Sequence, residues 1–97
     1  MAIDKYAVNV KGRGKSDILL FALSTCGWCR KTRDLLDTLG VSYRYIYVDL
    51  LDEPARNEVK KVVARWNPAN SFPTMVVNNK SIVGYQEDKI REAVGGG

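Results

Sequence analysis

The chain has 97 residues, 45% of them hydrophobic and 27% charged, with a net charge of +4. A chain of this length supports one hydrophobic core, burying roughly 60 to 70% of its unfolded surface, which excludes a second domain. Its two cysteines and lack of histidine fall short of the about four Cys or His ligands of a structural zinc site, so no metal site is expected.

The opening residues, MAIDKYAVNVKGRGKSD, lack the apolar stretch of a signal peptide, and no run approaches the ~18 apolar residues of a membrane span. The expectation is a cytoplasmic monomer with no membrane contact. In a reducing compartment a lone C-x-x-C reads as redox-active or metal-binding before it reads as a structural disulfide. The excess of basic residues is compatible with nucleic acid, but no nucleic-acid motif accompanies it, so no such partner is expected.

In chain order, residues 1–16 are polar and contain glycine, with Lys11, Arg13 and Lys15 close together. They read as a loosely held arm with room for a short strand at YAVNV. Gly14-Lys15-Ser16 imitates the end of a phosphate loop, but the earlier glycine it requires falls at Asn9 and the segment precedes a strand. Residues 18–23, ILLFAL, form an unbroken apolar run, as in a strand covered on both faces. The next segment is helical: Cys29, Thr32, Leu36 and Leu39 share one face, and Gly40 stands at the C-cap. VSYRYIYVD returns to strand character, with Tyr43, Tyr45 and Tyr47 alternating against Arg44, Ile46 and Val48.

A second helix follows, with Asp52 as N-cap, Pro54 in its first turn, and Val59, Val62, Val63 and Trp66 on one apolar face. Trp66 is expected in the core, and Pro68 marks the end of the helix. FPTMVVNNKSIVGY reads as strands at 74–77 and 81–83 joined by an Asn-Asn-Lys turn. A last helix over 86–94 precedes a glycine tail, 95–97. Because a strand-helix-strand unit returns parallel and right-handed, this order predicts an α/β domain over 17–94, a four-stranded mixed sheet flanked by three helices.

The chemistry concentrates in STCGWC. Cys26 falls where a strand's carboxyl end meets a helix's amino end, and the first backbone N–H groups of that helix lack helical acceptors. A thiolate there is stabilised by those donors and by the helix dipole. Cys29, one turn deeper on the apolar face, is shielded, which suits a division of labour between an attacking and a resolving thiol. Arg30, Lys31 and Arg33 crowd the same turns, where the dipole alone would favour acidic residues. They read either as electrostatic support for the thiolate that also attracts anionic thiols or an acidic partner, or as a solvated basic face. Trp28, between the cysteines, reads as a rim aromatic that meets a partner or as a packing residue. Asp49 reads as a turn residue with no role in proton transfer.

C-x-x-C at a helix start, FPT ahead of a hairpin, and VGYQEDKI opening the last helix together resemble the glutaredoxin family of the thioredoxin-fold superfamily, over residues 17–94. The resemblance implies a thiol-disulfide oxidoreductase acting as an electron carrier, with Cys26 as nucleophile and Cys29 as resolving thiol. The pair would form the redox-active disulfide, with no further cofactor required. It also implies a cis bond at Pro73, and substrate contacts at Thr25, Gly27, Trp28, Phe72, Pro73, Thr74, Gly84, Tyr85 and Asp88.

Two departures bear on the electron donor. No Lys or Arg stands among residues 22–25, and Gly84-Tyr85 replaces the usual Gly-Gly of glutathione-using members. VGYQEDKI is similar instead to the redoxins that serve ribonucleotide reductase and are reduced by thioredoxin reductase. The implied partners are a disulfide-containing protein substrate and, as donor, either such a reductase or glutathione or another low-molecular-weight thiol. Gly27-Trp28 also lacks the proline common between these cysteines. Some glutaredoxin-like proteins without it bind a [2Fe-2S] cluster between two subunits, which leaves a cluster scaffold or carrier as the alternative function.

Overall fold

The computed structural model describes residues 2–14 and 16–95; Lys15 of the arm and residues 96–97 of the glycine tail lie outside them. Its mixed sheet has five strands where four were expected: β1 (Val8–Val10), β2 (Ile18–Ala22), β3 (Tyr43–Tyr47), β4 (Thr74–Val77) and β5 (Lys80–Val83), in the spatial order β1-β3-β2-β4-β5. The helices are α1 (Gly27–Leu39), α2 (Glu53–Trp66) and α3 (Glu87–Gly95). Short 3-10 turns cover Ala2–Tyr6 and Val48–Leu50.

The apolar run at 18–23 becomes the central strand β2, buried at every residue. It pairs in parallel with β3 and antiparallel with β4. Alternate side chains serve opposite faces of the sheet. Ile18, Leu20 and Ala22 pack with Cys29, Leu35 and Leu36 of α1 and Ile90 and Val94 of α3. Leu19 and Phe21 pack with Val59 and Val63 of α2. Leu35 enters the core beside Leu36, whereas Leu39 is half-buried at its margin. Trp66, expected in the core, is also half-buried, at the edge of the α2 face.

Local chemistry sets the element ends. Gly40 stops α1 in the left-handed conformation (φ 70°), its N–H donating to the carbonyls of Leu36 and Asp37. The Asp52 carboxylate caps α2 by accepting from the Ala55 N–H at 3.0 Å. Asn78 and Asn79, with φ of 49° and 71°, form a two-residue hairpin turn, so β5 begins at Lys80 rather than Ser81.

The N-terminal segment is docked and not loose. Ile3 is only 1% exposed and belongs to the α2-side core. The Tyr6 hydroxyl donates to Glu58 Oε1 at 3.0 Å, and β1 covers the free edge of β3 in antiparallel register. Further on, the Arg13 N–H donates to the Gly40 carbonyl and the Ser42 N–H to the Arg13 carbonyl, each at 2.9 Å. A Cβ on Gly12 would lie 2.5 Å from the Val41 carbonyl carbon, so the close approach of these two segments requires glycine there. Arg44 closes the arrangement with ion pairs to Asp4 and Asp17, both at 2.6 Å.

Candidate active site

β2 leaves the sheet through a turn closed by the Cys26 N–H donating to the Leu23 carbonyl at 3.3 Å. Cys26 is the N-cap of α1, with extended backbone (φ −93°, ψ 120°), and its sulfur accepts the Cys29 N–H at 3.2 Å. The sulfur thus fills the acceptor place that a Ser, Thr, Asp or Asn oxygen commonly takes at a helix start. Cys26 is half-buried, whereas Cys29 is 1% exposed within the core on the α1 side of the sheet. Burial pushes the Cys29 thiol up to about 12 from an ordinary 9.0, reinforced by its hydrogen bond with Cys26 and by the nearby charges of Cys26 and Asp49. At neutral pH Cys29 therefore keeps its proton.

The facing wall comes from the segment leading into β4 and the end of β5. The Phe72–Pro73 peptide is cis, and the Pro73 carbonyl accepts the Gly84 N–H at 2.8 Å. Gly84 has φ 79°, a left-handed conformation open to glycine. Trp28, Phe72, Pro73, Gly84 and Tyr85 line a groove of about 260 Å³. The Trp28 ring, 58% exposed, stacks on Tyr85 with centroids 5.8 Å apart, and Lys31 Nζ lies 4.8 Å from the Trp28 ring centroid. Cys26, Phe72 and Tyr85 all pack against the same buried cluster. Gly27, in the first turn of α1, and Thr25, in the turn before it, are exposed.

Other residues named from the sequence lie elsewhere. Thr74 is wholly buried, and its Oγ1 donates to the Ser71 carbonyl at 2.7 Å while accepting from Asn67 Nδ2 at 3.0 Å. Its side chain serves the α2 side of the sheet, away from the groove. Asp88 is exposed in the first turn of α3 and does not line the groove. The basic cluster is divided. Arg30 is exposed and Lys31 covers Trp28, while Arg33 turns towards β3. Arg33 donates to the hydroxyls of Tyr43 (3.1 Å) and Tyr47 (2.9 Å), and its guanidinium lies 3.9 Å from the Tyr45 ring centroid. The Tyr43 hydroxyl in turn donates to Asp37 at 2.7 Å.

Two polar supports of the site are not legible in the sequence. Asn67, 4% exposed, directs Nδ2 at the Ser71 carbonyl, Ser71 Oγ and Thr74 Oγ1 within 3.1 Å, and its Oδ1 accepts the Ala69 N–H. It braces the loop that enters Phe72; the Asn-Pro dipeptide at 67–68 marks a turn but not that brace. Asp49, read as a turn residue, accepts the Ser24 N–H at 2.8 Å with Oδ1 and the Ser24 hydroxyl with Oδ2. Those bonds hold its carboxyl below the usual range. Among the described residues no cluster of His, Cys, Asp or Glu could hold a metal ion, and no helix is long and apolar enough to cross a membrane.

The same fold occurs in known proteins. A methanoredoxin from Methanosarcina acetivorans is 48% identical, with a TM-score of 0.84 over 87% of this chain and 90% of its own. A glutaredoxin from Methanosarcina mazei Go1 is 43% identical, again at 0.84, over 93% and 88% of the two chains. Among curated proteins, a glutaredoxin from Ricinus communis is 24% identical across 78 residues, 80% of this chain and 74% of that relative. The glutaredoxin family model matches residues 18–82. Since that match runs from the start of β2 into β5, and takes in both cysteines and the Phe72–Pro73 turn, the chain belongs to the glutaredoxin family of thiol-disulfide oxidoreductases.

Proposed function

We propose that the chain is an electron carrier that reduces disulfides by dithiol exchange, with Cys26 as the attacking thiolate and Cys29 as the resolving thiol. Cys26 Sγ forms a bond to one sulfur of the substrate, and the other sulfur leaves as a thiolate that takes a proton from water. Cys29 then loses its proton and attacks Cys26 Sγ, closing the intramolecular disulfide and releasing the second substrate thiol. Two electrons pass from the protein dithiol to the substrate disulfide.

The observation that carries this reading is the asymmetry of the pair: a half-buried sulfur at the helix N-cap beside a buried thiol held protonated. The groove of Trp28, Phe72, Pro73, Gly84 and Tyr85 would seat the substrate segment flanking the disulfide, in a protein or a small disulfide. Electrons come from a disulfide reductase of the thioredoxin-reductase type or from a low-molecular-weight thiol such as glutathione, in the cytoplasm. Rates of reduction of the oxidised protein by the two donors, measured side by side, separate them. The test of the chemistry is a pair of variants. Cys26→Ser abolishes reduction of a protein disulfide, and Cys29→Ser accumulates a mixed disulfide visible as a mass adduct. Full activity in Cys26→Ser would refute the assignment.

A further inference from the structure

We propose that Asp49 is a positioning residue of the redox site, clamping the turn at Ser24 so that Cys26 is presented at the start of α1. The proposal rests on the reading of Cys26 as the attacking thiol. β2 and β3 are parallel neighbours, paired up to Ala22 and Tyr47, so both chains leave the sheet at the same end. From there β2 runs through Ser24 to Cys26, while β3 enters the 3-10 turn that carries Asp49.

Asp49 has a firm footing. The preceding Val48 is 1% exposed in the α2-side core, and the Leu51 N–H donates to the Val48 carbonyl at 3.3 Å. Ser24 has no such footing, because the ladder has ended two residues earlier. The carboxylate supplies it: Oδ1 takes the backbone N–H and Oδ2 the hydroxyl, which fixes both the main chain and the side chain of Ser24. Both residues are exposed, so these bonds serve turn geometry and not core packing. Two residues on, the Cys26 N–H closes the same turn on the Leu23 carbonyl. The carboxylate also lies near enough to oppose ionisation of Cys29, a small effect beside burial.

The test is the single-turnover rate at which the reduced protein consumes excess 2-hydroxyethyl disulfide, with a thermal melt of each variant. Asp49→Ala removes both acceptors and is expected to slow the reaction about tenfold, since small misplacements of a reacting group are costly. Asp49→Asn keeps an acceptor for the Ser24 N–H and a donor for its hydroxyl without the charge, and is expected to recover most of that loss. A wild-type rate in Asp49→Ala, or a rate in Asp49→Asn as low as in Asp49→Ala with the fold intact, overturns the proposal. If Asp49→Ala does not fold, Ser24→Ala decides: it loses one of the two bonds and should slow the step about threefold. A wild-type rate there is equally fatal. Cys26→Ser in parallel separates the two claims, because activity surviving in it refutes the nucleophile itself. An inactive Cys26→Ser beside an unimpaired Asp49→Ala refutes only the clamp.

Discussion

Arg33 offers the sharpest separation between a basic helix start that serves the thiolate and one that serves the fold. Arg33→Met removes the guanidinium and keeps most of the aliphatic stem. Lost with it are the hydrogen bonds to the Tyr43 and Tyr47 hydroxyls at 3.1 and 2.9 Å and the ring contact with Tyr45 at 3.9 Å. The side chain is half-buried, so each charged hydrogen bond is counted low, at about 1 kcal/mol, and the cation–π contact at about 0.5 to 1 kcal/mol. Tyr43 keeps Asp37 as a partner, which limits the damage. The sum is about 2 to 3 kcal/mol. At about 4 to 8 °C per kcal/mol for a domain of this size, the melting temperature should fall by roughly 8 to 24 °C. Calorimetry measures that loss, and timed alkylation of Cys26 at fixed pH measures the thiolate. The expected outcome is a clear loss of stability with less than a twofold change in alkylation. A melting shift under about 4 °C, or alkylation slowed several-fold in a fully folded variant, would overturn the structural role and return Arg33 to the service of Cys26.

Two further outcomes follow from burial. In the unfolded chain Cys29 and Tyr43 ionise near 9.0 and 10.0, whereas in the fold burial, the leading cause for both, holds their protons up to about 12. Between pH 9 and 12 the native state therefore binds more protons than the unfolded state, and the reduced protein loses stability as pH rises. Urea midpoints should fall across that window, less steeply in Cys29→Ala, and a flat profile would contradict the burial argument. Ile3→Ala opens a cavity in the α2-side core and should cost about 2 to 4 kcal/mol by urea unfolding; a negligible change would mean that the N-terminal segment is the loose arm its polarity suggests.

Much of the fold was legible because local chemistry set it. The apolar run at 18–23, the glycine stop at residue 40, the Asp52-x-Pro54 start and the Asn-Asn turn each act within a few residues, and residue type together with local patterning reports them. The cysteine pair was legible for the same reason, since a strand-to-helix junction brings backbone donors to whatever residue occupies the N-cap. What sequence left open depends on partners far along the chain. Residues 1–16 read as a loosely held arm with room for a short strand at YAVNV, and only the free edge of β3 and the surface of α2 dock that strand and bury Ile3. Arg33 reads as part of a cationic start to α1 until three tyrosines of β3 draw it away. Thr74 follows Pro73 immediately, yet the alternation of β4 turns its side chain to the opposite face, where Asn67 meets it. Asp49 and Ser24 stand 25 positions apart, and it is the parallel pairing of β2 with β3 that brings them together. Spacing within an element carries hydrophobic and capping preferences, whereas polar side chains find their partners only after the sheet has set the register.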